Sequence, residues 1–385
     1  MPFPSLSALL RAQEGFRANF NSTPSVIARS PGRVNLIGEH TDYNEGFVLP
    51  IALPFDTAIA ASPHKGSTVT VHSEGFGTVN FDLDQDPSET PDWARYLHGV
   101  GVFLRSTGKP ISGWTGYIAS DIPSGANLAS SAALEIAAGL IFCTLSDVAI
   151  DPKQLARCGQ HVENHIFGLP SGIMDQWICS LAKQDQALLI DCRTLSTEPV
   201  KIPEEVALII MDTGTRRDLT GTEYANRRAT CKRVATELNV TALRDATLED
   251  LAPISSINAT WSKRARHVIS ENNRTLKAFS ALQSGDSILL GKLMIESHRS
   301  LATDYEVSSP ALNKIVDTAL KNPDCLGARM TGGGFAGCAV ALVKSENVDH
   351  FCDEVSSTFT APDTQPAVAP TRVYPVRAAA GASII

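Results

Sequence analysis

Apolar residues alternate with polar ones in the first part of the chain and recur at helical spacing in the second. Thr68 to His72, Thr78 to Leu83 and Trp114 to Ser120 alternate or are rich in β-branched residues, and each predicts a strand. Ahead of them, Leu6 to Phe20 has the spacing of an amphipathic helix. Leu128 to Thr144 is rich in alanine, while Pro152 to Phe167 opens with Asp151 as N-cap and Pro152 at the first helical position, so both predict helices. Ala187 to Asp191 and Val206 to Asp212 return to strand, with Pro203 between them. Helical periodicity then covers Glu223 to Leu238, Ser262 to Leu282, Ile288 to Leu301 and Pro310 to Leu320. Two short strands, Arg329 to Thr331 and Cys338 to Val343, follow and are joined through glycines. A proline-containing stretch, SSTFTAPDTQPAVAPT, precedes a last strand. The layout predicts an α+β fold in two lobes, residues 1–203 and 204–385, whose terminal strand is free to cross back.

Composition narrows the function classes. A chain of 385 residues exceeds one ordinary core, and 43% hydrophobic with 19% charged residues suits a soluble globular protein. A formal charge of −8 gives nucleic acid and acidic membranes nothing to attract. The opening residues lack the unbroken apolar block of a signal peptide, and Ile136 to Leu145, the longest apolar run, is too short to span a bilayer. The eight cysteines lie far apart without a C-x-x-C pair, which predicts reduced thiols, a cytoplasmic setting and no zinc site. The expected state is a monomer or weak oligomer.

The candidate chemistry gathers in four stretches. SPGRVNLIGEHTDY, residues 30–43, sets Arg33, Glu39, His40 and Asp42 beside apolar Val34, Leu36 and Ile37. PSGANLASSAALE, residues 123–135, places a Pro and Gly turn before a helix-forming run. Such a turn leaves backbone N–H groups free at a helix start, where phosphate oxygens are favoured. RMTGGGFAGCAVAL, residues 329–342, carries more glycines than a hairpin needs, as if something approached its backbone closely. In SGIMDQWICSL, residues 171–181, Asp175 lies among apolar residues at the start of a buried helix and needs a partner, for which Arg33 is the natural choice. No Walker or Rossmann pattern competes: Gly285 to Gly291 has the wrong spacing, and Lys292 precedes a leucine.

Three of these segments, in this order, resemble the GHMP family of small-molecule kinases, and RSPGRVNLIGEHTDYNEGFVLPIAL resembles its galactokinase branch. The likeness continues through HVENHIFGLPSGIMDQ, ALLIDCRTL, TEYANRR, KRARHVISENNRT, LMIESHRSLATDYEVSSPAL and AAAGASII. It implies an amino-terminal lobe like the second domain of ribosomal protein S5 and a ferredoxin-like carboxy-terminal lobe, with the active site between them. It implies ATP over Pro123, Ser124, Gly125, Ala126, Asn127, Leu128, Ala129, Ser130 and Ser131, and Mg²⁺ held by Ser131 and Glu163, since a hard cation prefers oxygen donors. On the family pattern Arg33 and Asp175 are the catalytic pair. Asp175 would accept the proton of the sugar's anomeric hydroxyl, and Arg33 would stabilise the phosphoryl group in flight and keep Asp175 ionised. Glu39, His40, Asp42, Gly172, Asp175 and Tyr224 match its sugar ligands.

The implied reaction is ATP-dependent formation of α-D-galactose 1-phosphate. N-acetylgalactosamine or L-arabinose stand as alternative substrates, and a non-catalytic galactose sensor as an alternative role. Asn127 replaces a usual glycine of the phosphate loop, Ala129 its first serine, and Ala336 another glycine. Arg216, Arg217 and Asp218 depart from the family before Tyr224, which leaves the exact sugar open.

Overall fold

The computed structural model describes residues 6–149, 151–216 and 222–385. Its strands run β1 (Val26–Asn35), β2 (Phe47–Val48), β3 (Pro50–Pro63), β4 (Thr68–Ser73), β5 (Gly77–Asp82), β6 (Trp114–Ser120), β7 (Gln186–Asp191), β8 (Thr197–Lys201), β9 (Val206–Asp212), β10 (Cys325–Met330), β11 (Cys338–Lys344), β12 (Arg372–Val376) and β13 (Ser383–Ile384). The helices are α1 (Ala8–Phe20), α2 (Asp92–Ser106), α3 (Ser130–Leu145), α4 (Pro152–His161), α5 (Met174–Leu181), α6 (Thr222–Glu237), α7 (Leu251–Ile257), α8 (Ala259–Ser284), α9 (Ser287–Ser300), α10 (Pro310–Ala319) and α11 (Val348–Thr358). Among the described residues no helix is long and apolar enough to cross a membrane, and all eight cysteines are free thiols.

The first lobe is built on a six-stranded sheet in the order β13-β1-β3-β6-β4-β5. Because successive strand residues point to opposite faces, Ile27, Ala58, Ala60 and Ala119 meet Ala8, Ala12 and Phe16 of α1, while Val26, Ala28, Ile59, Ala61 and Ile118 meet α2 and α3. The small alanines let α1 approach closely. The last strand, β13, returns from the far end of the chain to pair with β1.

The second lobe is an antiparallel sheet ordered β10-β11-β9-β12. On one face Ile209, Met211, Ala339 and Ala341 pack on Ile315 and Val316 of α10 and Phe351 and Val355 of α11. The other face, with Leu208, Ile210, Val340 and Leu342, shares a single core with Phe279, Leu293 and Met294 of α8 and α9 and with Val34, Leu36, Ile37, Leu49 and Ile51 of the first lobe. The segment after β1 is therefore wedged between the lobes, and a side chain projecting from it can face both.

Buried charges complete this junction. Arg329 on β10 has no exposed surface and donates to the Asn35 carbonyl (3.1 Å) and Ser297 Oγ (3.2 Å). Its guanidinium stands 3.5 Å from Glu39 and 3.9 Å from Glu271. Glu271 in turn accepts from the Gly38 backbone N–H (3.0 Å), Ser297 Oγ (2.6 Å) and Arg274 Nε (2.8 Å). Burial opposes the charge on Glu271, but Arg274, His267 and Arg329 outweigh it and lower its pKa to about 2. Replacing Arg329 takes from two buried carboxylates a cation they share, so Arg329→Met should lower the unfolding free energy by about 3–5 kcal/mol in a urea melt. A loss below ~1 kcal/mol would show that the network is not holding the lobes.

Candidate active site

The β1 strand aims Arg33. Its register against β3 slips between Pro31 and Arg33, a bulge of the kind that redirects a side chain. Gly32 is required at that bulge because the Leu128 carbonyl sits where a Cβ would go, 2.7 Å away. The Arg33 backbone N–H donates to this same carbonyl (3.0 Å), so the bulge is bonded directly to the 123–131 loop.

From there the Arg33 side chain reaches Asp175 across 142 positions of sequence. Nε donates to Oδ1 at 2.8 Å and Nη2 to Oδ2 at 2.7 Å, a bidentate fork, while Nη1 donates to the Asn127 carbonyl at 2.6 Å. Burial alone would disfavour the guanidinium's charge, but Asp175 and Glu39 outweigh it and raise its pKa. Asp175 lies in the first turn of α5, where a helix favours a negative charge, and its side chain stays 28% exposed against 6% for Arg33. The arginine is thus fixed, and the carboxylate keeps an open side.

Around that open side the structure gathers most of the expected sugar ligands. Asp42 accepts from the Tyr43 backbone N–H (2.9 Å), and its other oxygen lies against Gly172 so closely that a Cβ there would come within 1.9 Å. Only glycine fits at 172. Arg228 supports this loop by donating to the Pro170 carbonyl (2.5 Å), a contact that the sequence reading did not single out. Tyr224 on α6 packs tilted against His40 and edge-on against Tyr43, with ring centroids 5.6 and 5.2 Å away. His40, held at a left-handed φ of 63°, shares a hydrogen bond with Tyr43 (2.7 Å). Burial, and then the neighbouring Asp175 charge, push Asp42 up to about 7.

Glu39 sits differently. Its carboxylate is almost wholly buried, accepts from Thr331 Oγ1 (3.1 Å), the Gly332 N–H (2.6 Å) and the Asn35 side chain, and faces the glycine turn. Its burial raises its pKa although Arg329 opposes the shift.

The loop of residues 123–131 enters α3 through three left-handed residues, Gly125, Asn127 and Ala129. Ala129 occupies the N-cap position and offers no side-chain hydrogen bond, so the helix begins at Ser130, two residues later than the alanine-rich pattern suggests. Without a capping side chain, the first N–H groups of α3 stay available to an anion. Ala126 and Leu128 bury their side chains in the core, leaving their backbone to line the loop, while Ser124 and Ser130 are exposed. Ser131 Oγ donates to Glu163 Oε1 at 2.9 Å. Glu163 lies where the α4 helix widens into a π turn, Val162–Ile166, and Glu135 with Gln176 stands behind it. Burial, partly offset by Ser171 and reinforced by Asp175, raises the pKa of Glu163. Arg216 forms a bidentate pair with Asp212 (2.7 and 2.9 Å) and lies over Gly125. Arg217 and Asp218 lie outside the described residues.

Known proteins align with this arrangement. A galactokinase galactose-binding signature matches residues 14–63, the GHMP kinase N-terminal domain residues 95–183 and the GHMP kinase C-terminal domain residues 278–361. The galactokinase of Chloroflexus aggregans is 45% identical over 87% of this chain and 88% of its own length, and that of a Roseiflexus species 41% over 90% of each. The crystal structure of Lactococcus lactis galactokinase complexed with galactose superposes with a TM-score of 0.89 at 35% identity, covering 96% of this chain and 98% of that one. The Methanococcus jannaschii mevalonate kinase, at 19% identity and a TM-score of 0.64 over 92% and 98%, shares the fold alone. The chain belongs to the GHMP kinase family, in its galactokinase branch.

Asp42 yields a test of the site's electrostatics. A carboxyl whose folded pKa is near 7, against an ordinary value near 4, costs stability progressively as pH rises between those two values and costs most above 7. Asp42→Asn should therefore raise the sugar-free melting temperature at pH 8 by several degrees, with the gain shrinking at pH 5 and gone near pH 4. A melting temperature at pH 8 equal to or below that of the wild type would contradict the assigned shift.

Proposed function

We propose that this chain is an ATP-dependent galactokinase that phosphorylates the anomeric hydroxyl of D-galactose, giving α-D-galactose 1-phosphate and ADP. The observation that carries this reading is the Arg33–Asp175 fork, which lies where the helix-entry loop and the Asp42, Gly172 and Tyr224 cluster meet. The curated relatives named galactokinase and the solved relative holding galactose support the substrate.

In this reading the nucleotide's phosphates lie over the 123–131 loop, met by the uncapped N–H groups of α3 and by Ser130 and Ser131. Phosphoryl transfer through a loose transition state asks chiefly for alignment and charge stabilisation. Asp175 accepts the hydrogen of the sugar's C1 hydroxyl through the lone pairs that Arg33 leaves open. Arg33 offsets negative charge on the transferring group. Its position is set from three sides, by two Asp175 oxygens and the Asn127 carbonyl, so little reorganisation accompanies reaction. Asp42 and Tyr224 read the face of the sugar that carries the axial hydroxyl, and a sugar lacking it leaves buried polar groups unpaired. Glu39 and His40 complete the pocket wall, with Glu39 acting through the glycine turn it holds.

A divalent cation suits the Ser131–Glu163 pair, since both groups are oxygen donors in mutual contact. Mg²⁺, when bound, neutralises phosphate charge. The acidic chain and its free thiols fit a protein of the reducing cytoplasm acting on small molecules.

The deciding experiment is ADP release with galactose, N-acetylgalactosamine, arabinose and glucose, with and without Mg²⁺. Galactose should support the highest turnover and need the metal. Equal turnover of either rival sugar would transfer the assignment, and galactose binding without ADP would make the chain a sensor. Asp175→Ala and Arg33→Ala should each lower kcat at least ~10²-fold while the protein still melts cooperatively. Wild-type turnover in either would remove that residue from the chemistry.

A further inference from the structure

We infer that Asn127 is a positioning residue, whose side chain clasps the nucleotide loop to the glycine turn of the second lobe and so sets both the grip on ATP and the aim of Arg33. The inference rests on the kinase reading above and deepens it. Asn127 replaces a glycine of the usual loop, and its left-handed φ of 60° is one that asparagine tolerates better than most residues. A glycine would hold the same backbone but would have nothing to reach across with. Here Nδ2 donates to the Gly334 carbonyl at 3.2 Å and to the Ala336 carbonyl at 3.0 Å, which uses both hydrogens of the amide.

The packing around this clasp leaves no slack. A Cβ on Gly332 would come within 2.8 Å of the Asn127 carbonyl, and one on Gly337 within 2.8 Å of the Ala126 carbonyl. Gly332 and Gly337 are therefore what the loop rests on, while Gly334 lies against the Val307 carbonyl. The carbonyl of Asn127 is also the third anchor of Arg33. A line of hydrogen bonds thus runs from the second lobe through the Asn127 amide and carbonyl to Arg33 and on to Asp175. Asp42, Gly172 and Tyr224 lie off this line, so the clasp should weigh more on the nucleotide than on the sugar.

Two variants of the full-length protein test it. Asn127→Gly keeps the backbone conformation and removes the clasp. It should raise KM for ATP ~10-fold, the scale of two ordinary hydrogen bonds, and lower kcat, with KM for galactose within about twofold of wild type. Its melting temperature should still rise with galactose, while the rise with ATP and Mg²⁺ shrinks. Asn127→Asp also tolerates the backbone but turns an acceptor toward two carbonyls, so its KM for ATP should exceed that of the glycine variant. A glycine variant whose KM for ATP and ATP-dependent melting shift both equal those of the wild type would overturn the inference, whatever its kcat. So would an aspartate variant that binds ATP as well as wild type. Should wild-type protein release no ADP from ATP with any of the sugars, the kinase reading fails, while the ATP-dependent melting shift still judges the clasp.

Discussion

One guanidinium held in a bidentate fork by one carboxylate organises the site. Arg33 has to be buried to meet Asp175, and a buried cation is tolerated only if its hydrogen bonds are filled. The structure gives each of its three nitrogens a partner, from both Asp175 oxygens and the Asn127 carbonyl. Much of the surrounding architecture follows from that demand: the Pro31–Arg33 bulge that turns the side chain, the glycine at 32 that lets Leu128 approach, and the start of α5 that presents Asp175.

The two lobes meet through contacts that serve this pair indirectly. The segment after β1 is held below by the shared apolar core and laterally by Glu271, Arg329 and Ser297. The glycine turn, bonded to Glu39 on one side and Asn127 on the other, bridges the sugar-side and nucleotide-side segments. Burial of this many ionisable groups is costly, and for Arg33, Glu39, Glu271 and Arg329 the cost is offset by opposite charge and by hydrogen bonds. Asp42 has a single backbone donor. Its carboxylate stays near another carboxylate, a strain that suits a group meant to receive sugar hydroxyls.

Several elements were legible because their pattern is local. β6 and the proline-led start of α4 coincide with their predicted bounds, since alternation, or an N-cap followed by proline, needs no tertiary information. The long β1 and β3 left no comparable mark, because strands buried on both faces do not alternate and because a Pro–Gly pair interrupts β1. The Arg33–Asp175 meeting could be argued only from the need of a buried aspartate for a partner and from family resemblance. The turning of Glu39 toward Gly332 was not legible, since the same glutamate could equally face a ligand. For Asn127 the sequence disclosed only a departure from a glycine pattern; its two carbonyl partners belong to a turn more than 200 residues away, at separations of 207 and 209 positions.

The central claim is that Arg33 and Asp175 act as one unit, and a double-mutant cycle on kcat/KM measures that directly. If they do, Arg33→Ala combined with Asp175→Ala should be no more than ~3-fold slower than the slower single variant, because removing either already dismantles the fork. Losses that multiply, each variant costing as much in the other's background as in wild type, would contradict the account.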